Sequence, residues 1–294
     1  MSVPIDRRGA WCALTAFFIW GVSPLFFKAL AWLPALEIVA HRVLWSVPLL
    51  ALWIGWRQGF GVAAGVFSRP RLLALLCLTT MLTGCNWLLY VWAIVSGHTV
   101  EASLGYFINP LFNVALGALV LGERLRRLQW CAVTLAATGV IARVALLGHL
   151  PWIALGLAGT FGLYGLLRKR APIDSVNGLF VETLLALPFA AGFLAWSASQ
   201  HQLHGGGRGW GLLLIPLAGL VTTVPLALFA EGVRRLPLST LGLLQYLAPT
   251  LQFVCAVLIF HEAFSIGQLG SFALIWTGLA LYSWDAWRTL PRVA

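Results

Sequence analysis

Residues 104–113 read LGYFINPLFN, and residues 243–252 read LLQYLAPTLQ. Each sets an aromatic residue three places before a proline, Phe107 before Pro110 and Tyr246 before Pro249, with amides nearby in an otherwise apolar run. Sliding the chain on itself by 139 residues brings the two stretches into register. The same offset pairs Glu123 with Glu262, Gln129 with Gln268, and Thr138-Gly139 with Thr277-Gly278. At an offset of 141, Trp11 meets Trp152, Gly21 meets Gly162 and Lys28 meets Lys169. Such collinear matches imply a duplicated unit, with residues 1–147 as the first copy and 148–294 as the second.

The surrounding composition decides what kind of unit is duplicated. The 294 residues are 60% hydrophobic and only 10% charged, with a mean hydropathy of +0.89. Soluble domains carry roughly 25% charged residues, so a water-facing surface cannot be built from this chain. Fifteen Trp and seventeen Phe supply the aromatic content expected at membrane interfaces. A hydrocarbon core about 30 Å thick needs about 20 apolar residues per helix. Ten runs meet that length: 9–31, 35–55, 72–95, 99–121, 128–147, 150–167, 177–196, 210–230, 239–260 and 267–287. The first exceeds the roughly 7–15 residues of a secretory h-region and is expected to stay as a helix. The fold class is all-α and polytopic, with five spans in each copy.

Arginine orients the spans. Arg57, Arg69 and Arg71, then Arg124, Arg126 and Arg127, then Arg168, Lys169 and Arg170, then Arg234 and Arg235 fall in alternate connections. With Arg7, Arg8, Arg288 and Arg292 at the termini, 15 of the 19 basic residues lie on one side. The positive-inside rule makes that side cytoplasmic and puts both termini there. Because five is odd, the second copy enters the membrane from the opposite face. Inverted repeats of this kind hold a solute path near the midplane, between the halves.

Polar groups inside the spans are the candidate lining of that path. Tyr106, Asn109, Pro110 and Asn113 share a helix face at i, i+3, i+4 and i+7. Pro110 frees the carbonyl of Tyr106, because proline has no N–H to donate four residues back. The second copy offers Gln245, Pro249 and Gln252 on one face with Tyr246 beside it, and the third span adds Asn86 and Tyr90. Amides at such positions either fasten helices together, at about 0.6–2 kcal/mol each, or line a shared cavity.

The run EIVAHRVLW, residues 37–45, carries three ionisable groups. Arg42 lies seven residues into the second span, about 10 Å from its outer end at 1.5 Å per residue. A central arginine costs about 2.5–3.5 kcal/mol on insertion scales, so it must face protein or water. Two roles are open: an ion pair with Glu37 or with an acid on another helix, or an anchor for an anionic or zwitterionic solute. Glu37 is expected near the outer mouth, where ionisation is cheap, with His41 one turn deeper. Glu182 maps onto His41 at the 141 offset. Glu37, His41 and Glu182 are therefore the candidate proton-coupling groups. Lys28 is expected to snorkel, and Glu123 and Glu262 to bond neighbouring helix ends. Gly156, Gly159, Gly162 and Gly165 recur every three residues, as close helix packing requires.

Other chemistries find little support. The five cysteines show no C-x-x-C and no paired spacing, which points to packing and away from disulfides or metal. His201 and His204 alone are poor metal ligands. No Walker A sequence is present to use ATP, and neither D-x-x-D nor H-E-x-x-H appears. No cofactor, no metal and no catalytic residue is expected, and the basic charge belongs to membrane orientation, not to nucleic acid.

The motifs FIWGVSPLFFK, EIVAHRVLWS, EASLGYFINPLFNVALG followed by LGERL, and LSTLGLLQYLAPT resemble the EamA branch of the drug/metabolite transporter superfamily, and within it the RarD-type permeases of bacterial inner membranes. The resemblance runs from about residue 9 to 287. It implies ten helices in two inverted five-helix repeats around a central cavity, and export of small metabolites or drugs. It supplies no site residues, which come from the reading above: Trp20, Arg42, Asn86, Tyr90, Tyr106, Asn109, Asn113, Gln245 and Tyr246 lining the cavity. The expected function is a secondary transporter of a small, partly polar organic solute, working by alternating access with or without proton coupling. The protein would work as a monomer or homodimer in the lipid bilayer. An uncoupled facilitator or channel-like pore is the alternative, and a membrane-embedded enzyme a weaker one.

Overall fold

The structure is a computed structural model. It describes residues 6–120, 126–147, 150–201, 203–204, 209, 211–236, 241, 244–263 and 266–288. Among the described residues every regular element is a helix. In chain order these are α1 (Arg7–Ala29), α2 (Ala35–Arg57), α3 (Gly61–Phe67), α4 (Pro70–Val95), α5 (Thr99–Val120) and α6 (Arg127–Leu147). There follow α7 (Trp152–Arg170), α8 (Ser175–Ser199), α9 (Gly211–Arg235), α10 (Leu247–Val254) with a π turn (Cys255–Ile259), and α11 (Ile266–Arg288). Five of them, α1, α2, α4, α8 and residues Leu213–Gly232 of α9, are long and apolar enough to cross a membrane.

The chain ends these helices by local means. Asp6 caps α1, accepting from the N–H groups of Arg8 at 2.8 Å and Gly9 at 3.3 Å. Asp174 caps α8 through the N–H of Asn177 at 3.0 Å. Pro70 opens α4, where its missing N–H costs nothing. Gly97 leaves α4 at a φ of 77°, and the next N–H, of His98, closes onto the carbonyl of Ala93 at 2.7 Å. Prolines inside α1, α2, α8 and α9 do not end those helices. In α1 neighbouring groups re-satisfy the freed carbonyl: Pro24 releases that of Trp20, which accepts from Ser23 Oγ at 2.8 Å and Gln252 Nε2 at 3.1 Å.

Two features depart from the sequence expectation. A short helix, α3, sits in the connection between α2 and α4, where the sequence reading had only a loop. Its seven residues are too few to cross a membrane and give no amphipathic signal long enough to detect. The ninth span, expected as one run over 239–260, is interrupted by a turn at Tyr246 and resumes as α10. Pro249 falls in the first turn of α10, the place in a helix where its missing donor is harmless. The run then widens into the π turn, where the Phe260 N–H bonds the Cys255 carbonyl at 2.9 Å. Pro110, its partner at the 139 offset, lies inside the continuous helix α5.

Helix pairing is selective. α6 packs along α11, α1 along α9, α7 along α4 and α5, and α2 along α8 and α9. α10 packs on α1 and α5, and α4 on α8. Two glycines hold the α6–α11 contact: a Cβ on Gly139 would stand 2.7 Å from the Ser271 carbonyl, and one on Gly278 would stand 2.6 Å from that of Ala132. Only a residue without a side chain permits backbones to come so close. Links between connections sort them into two ends of the bundle. At one end Arg235 reaches Asp6 at 2.8 Å and Arg126 reaches Asp285 at 3.6 Å. At the other, the Glu262 carboxylate accepts from the N–H groups of Thr99 at 3.0 Å and Val100 at 2.9 Å, so this acid does bond a neighbouring helix end as expected.

Candidate functional site

Arg42 is the centre of the site. It is 6% exposed, and its Nε donates to Thr222 Oγ1 of α9 at 2.8 Å. The guanidinium lies 4.9 Å from the Phe27 ring of α1 and 4.6 Å from the Trp87 ring of α4. Such contacts are worth up to about 2 kcal/mol each when water is excluded. No carboxylate stands within ion-pair distance among the described residues, and Nη1 is buried without a hydrogen-bond partner. The pairing of Arg42 with Glu37, one of the two roles open at the sequence level, is therefore not formed.

Glu37 has another partner. It is 1% exposed and accepts from the backbone N–H of His204 at 3.3 Å, with the His204 Nδ1 at 3.1 Å from its second oxygen. The sequence reading placed Glu37 near the outer mouth, where ionisation is cheap, and this is corrected: the carboxylate is buried, with His204 against it. His204 was missed as a partner because 167 residues separate the two. His41 sits one turn on, half-buried, with Nδ1 unpartnered, and does not join Arg42. Consecutive helical residues point about 100° apart.

Rings connect Arg42 to a second buried charge. Phe27 meets Tyr90 at 5.9 Å, Tyr90 meets Tyr106 at 5.6 Å, Tyr106 meets Phe161 at 6.2 Å and Phe161 meets Tyr164 at 6.1 Å. Tyr90 also bonds Ser23 Oγ at 3.0 Å, and Trp20 joins through Phe161 at 6.3 Å and Phe229 at 5.4 Å. Tyr164 then donates to Glu182 Oε2 at 3.3 Å. Glu182 is buried, takes a hydrogen bond from Thr79 at 2.5 Å, and faces Arg168 Nε at 3.7 Å. Arg168 was read only as an orienting charge. Its pairing could have been suspected from a lone acid seven residues into the next span.

The structure thus unites Trp20, Arg42, Tyr90 and Tyr106, and ends the aromatic chain at Glu182. Asn86 serves differently, donating to the Leu157 carbonyl at 3.1 Å and to Thr160 Oγ1 at 2.8 Å, which fastens α4 to α7. Asn109 is fully buried, and neither its oxygen nor its nitrogen finds a partner among the described residues. Gln245 is buried, and Tyr246 stacks on Phe107 at 6.5 Å. The side chain of Asn113 lies outside the described residues. Phe27, Trp87, Phe161 and Thr222 are contributors that the sequence reading did not name as lining. They look like ordinary span residues until tertiary contacts select them. Among the described residues no group of three or more His, Cys, Asp or Glu could hold a metal ion.

The profile of the EamA-like transporter family matches residues 7–144 and again 150–284. A Vibrio cholerae protein called an uncharacterized transporter is 47% identical over 95% of this chain and 93% of its own length. Protein RarD of Escherichia coli K12 is 43% identical over the full length of both chains. The chloramphenicol-sensitive protein RarD of Pseudomonas aeruginosa is 35% identical over 99% of this chain and 98% of its own. A protein of known crystal structure superposes with a TM-score of 0.66 over 95% of this chain and 98% of that one, at 22% identity, which speaks to fold alone.

Proposed function

The chain belongs to the EamA-like transporter family, with RarD proteins among its relatives, and on that premise we propose a secondary transporter that exports a small organic solute across the bacterial inner membrane by alternating access. The solute carries a negatively charged group, held by Arg42, and an apolar body that lies against the rings of Trp20, Tyr90, Tyr106 and Phe161. One observation carries this reading: a buried arginine with, among the described residues, no carboxylate to neutralise it and one nitrogen unbonded. An uncompensated buried charge costs several kcal/mol, and an anionic ligand is the group that would offset it.

Ten spans in two inverted repeats, with both termini cytoplasmic, form the proposed frame. Several contacts support it. Exchanging the first five spans for the second five turns the α1–α9 pair into α7–α4, and the α1–α10 pair into α7–α5. Each of these pairs is packed. Phe107 and Tyr246, equivalent at the 139 offset, stack on one another, as residues beside a two-fold axis do. Gly139 against Ser271 and Gly278 against Ala132 are the same contact seen from either copy. The family profile also matches twice.

In this frame the Arg168–Glu182 pair closes the cytoplasmic end and the Glu37–His204 pair the outer end. Glu37, His41 and Glu182 are the groups through which protons would couple. Reconstitution in vesicles tests the proposal: a solute found by comparing metabolites of cells with and without the gene should enter with saturation. Flux that rises linearly without limit would instead indicate a pore. Uptake that ignores an imposed pH gradient would exclude proton coupling while leaving the carrier in place.

A further inference from the structure

A groove of about 290 Å³ lies between α3, the start of α4 and the connection from α7 to α8. Its walls are apolar: Val62 and Val66 from α3, Leu72 from α4 and Ile173 from the connection. The charged group on its lining is Arg69, exposed at the rim. Its floor is open, since a Cβ on Gly61 or Gly65 would meet nothing within 4 Å. Small-molecule pockets begin at roughly 300 Å³ and bury most of their ligand. This one, at the lower end of that range, has room for a stretch of acyl chain.

The surroundings fix the occupant. Phe60, Val62 and Phe67 of the α3 region face outward and are about half exposed, as are Trp53 and the more exposed Trp56 of α2. Arg57 lies 5.6 Å from the rings of both tryptophans. Apolar and aromatic side chains beside arginines are the composition of a membrane–water boundary. Between residues 38 and 100 the sequence holds no Asp or Glu. Arg57, Arg69 and Arg71 have no carboxylate at ion-pair distance among the described residues. The acid of the adjoining connection, Asp174, is occupied in capping α8, accepting also from Asn177 Nδ2 at 2.8 Å. A cationic rim over an apolar slot needs a ligand with an anionic head and a hydrocarbon tail.

We infer that this groove binds one anionic phospholipid, with an acyl chain between α3 and the α7–α8 connection and the headgroup phosphate on Arg69. Arg57 and Arg71 then add to the field that favours anionic over zwitterionic lipid. α3 makes the slot by holding two glycines where larger residues would fill it. The inference rests on the groove and its charges and is independent of what solute the carrier moves.

The test uses the full-length protein in detergent, titrated with phosphatidylglycerol or phosphatidylcholine. Native mass spectrometry counts bound lipid, and thermal unfolding reports its effect. One phosphatidylglycerol per chain should bind in preference to phosphatidylcholine and raise the unfolding temperature. Arg69→Gln, a change at an exposed position, should weaken that binding about fivefold, the share of one surface cation. Gly65→Leu should fill the slot and abolish it. Equal binding of the two lipids, or Arg69→Gln binding like the parent, would overturn the inference. Inorganic phosphate displacing the lipid completely would overturn it too, because the site would then read the phosphate alone.

Discussion

Arg42 and Glu182 are each the eighth residue of their helices, α2 and α8, and these helices pack against each other, yet the two charges do not pair. Arg42 turns to Thr222 and two aromatic rings, while Glu182 turns to Thr79, Tyr164 and Arg168. Counting from the helix starts, Arg42 is the closer equivalent of Glu182, one residue on from the His41 match at the 141 offset. The two charges stand at the two ends of one aromatic lining, each with its own partners.

Arg42→Lys should insert and fold normally but lose transport. An ammonium cannot bond Thr222 and a solute from one planar fork. Losing one charge-assisted hydrogen bond, about 1.5–3 kcal/mol, corresponds to roughly 10–100-fold in kcat/KM. Uptake by proteoliposomes measures it. Parental transport by a well-inserted Arg42→Ala protein would remove Arg42 from the binding site.

Arg168→Gln strands Glu182 in a buried place. Breaking one side of a buried pair costs about 3 kcal/mol or more, to be read as a lowered unfolding temperature in detergent. Combining Arg168→Met with Glu182→Leu should recover most of that stability, since no charge is left unpaired. Transport should not return with it. A double variant no more stable than Arg168→Gln would show that a stranded Glu182 is not what the single change costs.

His204→Ala removes the imidazole from Glu37 and leaves the backbone contact. A buried acceptor that loses one donor costs about 1–3 kcal/mol. A cysteine at His41 should also react faster with an impermeant thiol reagent, because Glu37, one turn away, is no longer held by the imidazole. An unchanged reaction rate would deny that the His204 contact shields this end of α2.

Asp6 gives the chain a measurable acid sensitivity outside the membrane. The hydrogen bond from Arg235 holds its carboxyl below the ordinary aspartate value of 3.8. A carboxylate with a lowered folded pKa stabilises the fold above its unfolded value, and that contribution is lost as pH falls through the folded one. Unfolding temperatures should therefore drop on acidification below pH 3.8, and Asp6→Asn should flatten that part of the curve.

Gly139→Leu should separate α6 from α11, because a side chain has no room against the Ser271 carbonyl. Overpacking of this kind costs about 1–3 kcal/mol. Gly278→Leu should cost a similar amount at the exchanged contact, and unfolding temperatures compare the two. A large difference between them would weaken the case for equivalent copies.

The sequence was a good guide wherever the signal is local or periodic. Apolar runs, prolines, caps and clustered arginines act within one helix or one connection, and outside the ninth run the described helices fall within a few residues of the expected ones. Glu262 bonding a helix end could be expected because an acid closing a span has little else nearby. The offset of 139 found Gly139 and Gly278 from a two-residue match. In the ninth span the same proline as in α5 gave a different outcome, since a helix can bend around proline or begin at it, and packing chooses.

The partners of the buried charges were beyond sequence. Arg42 meets Thr222 across 180 residues, Glu182 meets Thr79 across 103, and Glu37 meets His204 across 167. Hydropathy and charge counts alone determined that this chain crosses membranes many times, because an apolar surface admits no other solvent. Whether Arg42 belonged to Glu37 was decided by tertiary structure: His204 meets the carboxylate and takes it. The guanidinium is left among rings with one nitrogen unbonded, because burial permits each charge only the partners its helix neighbours bring.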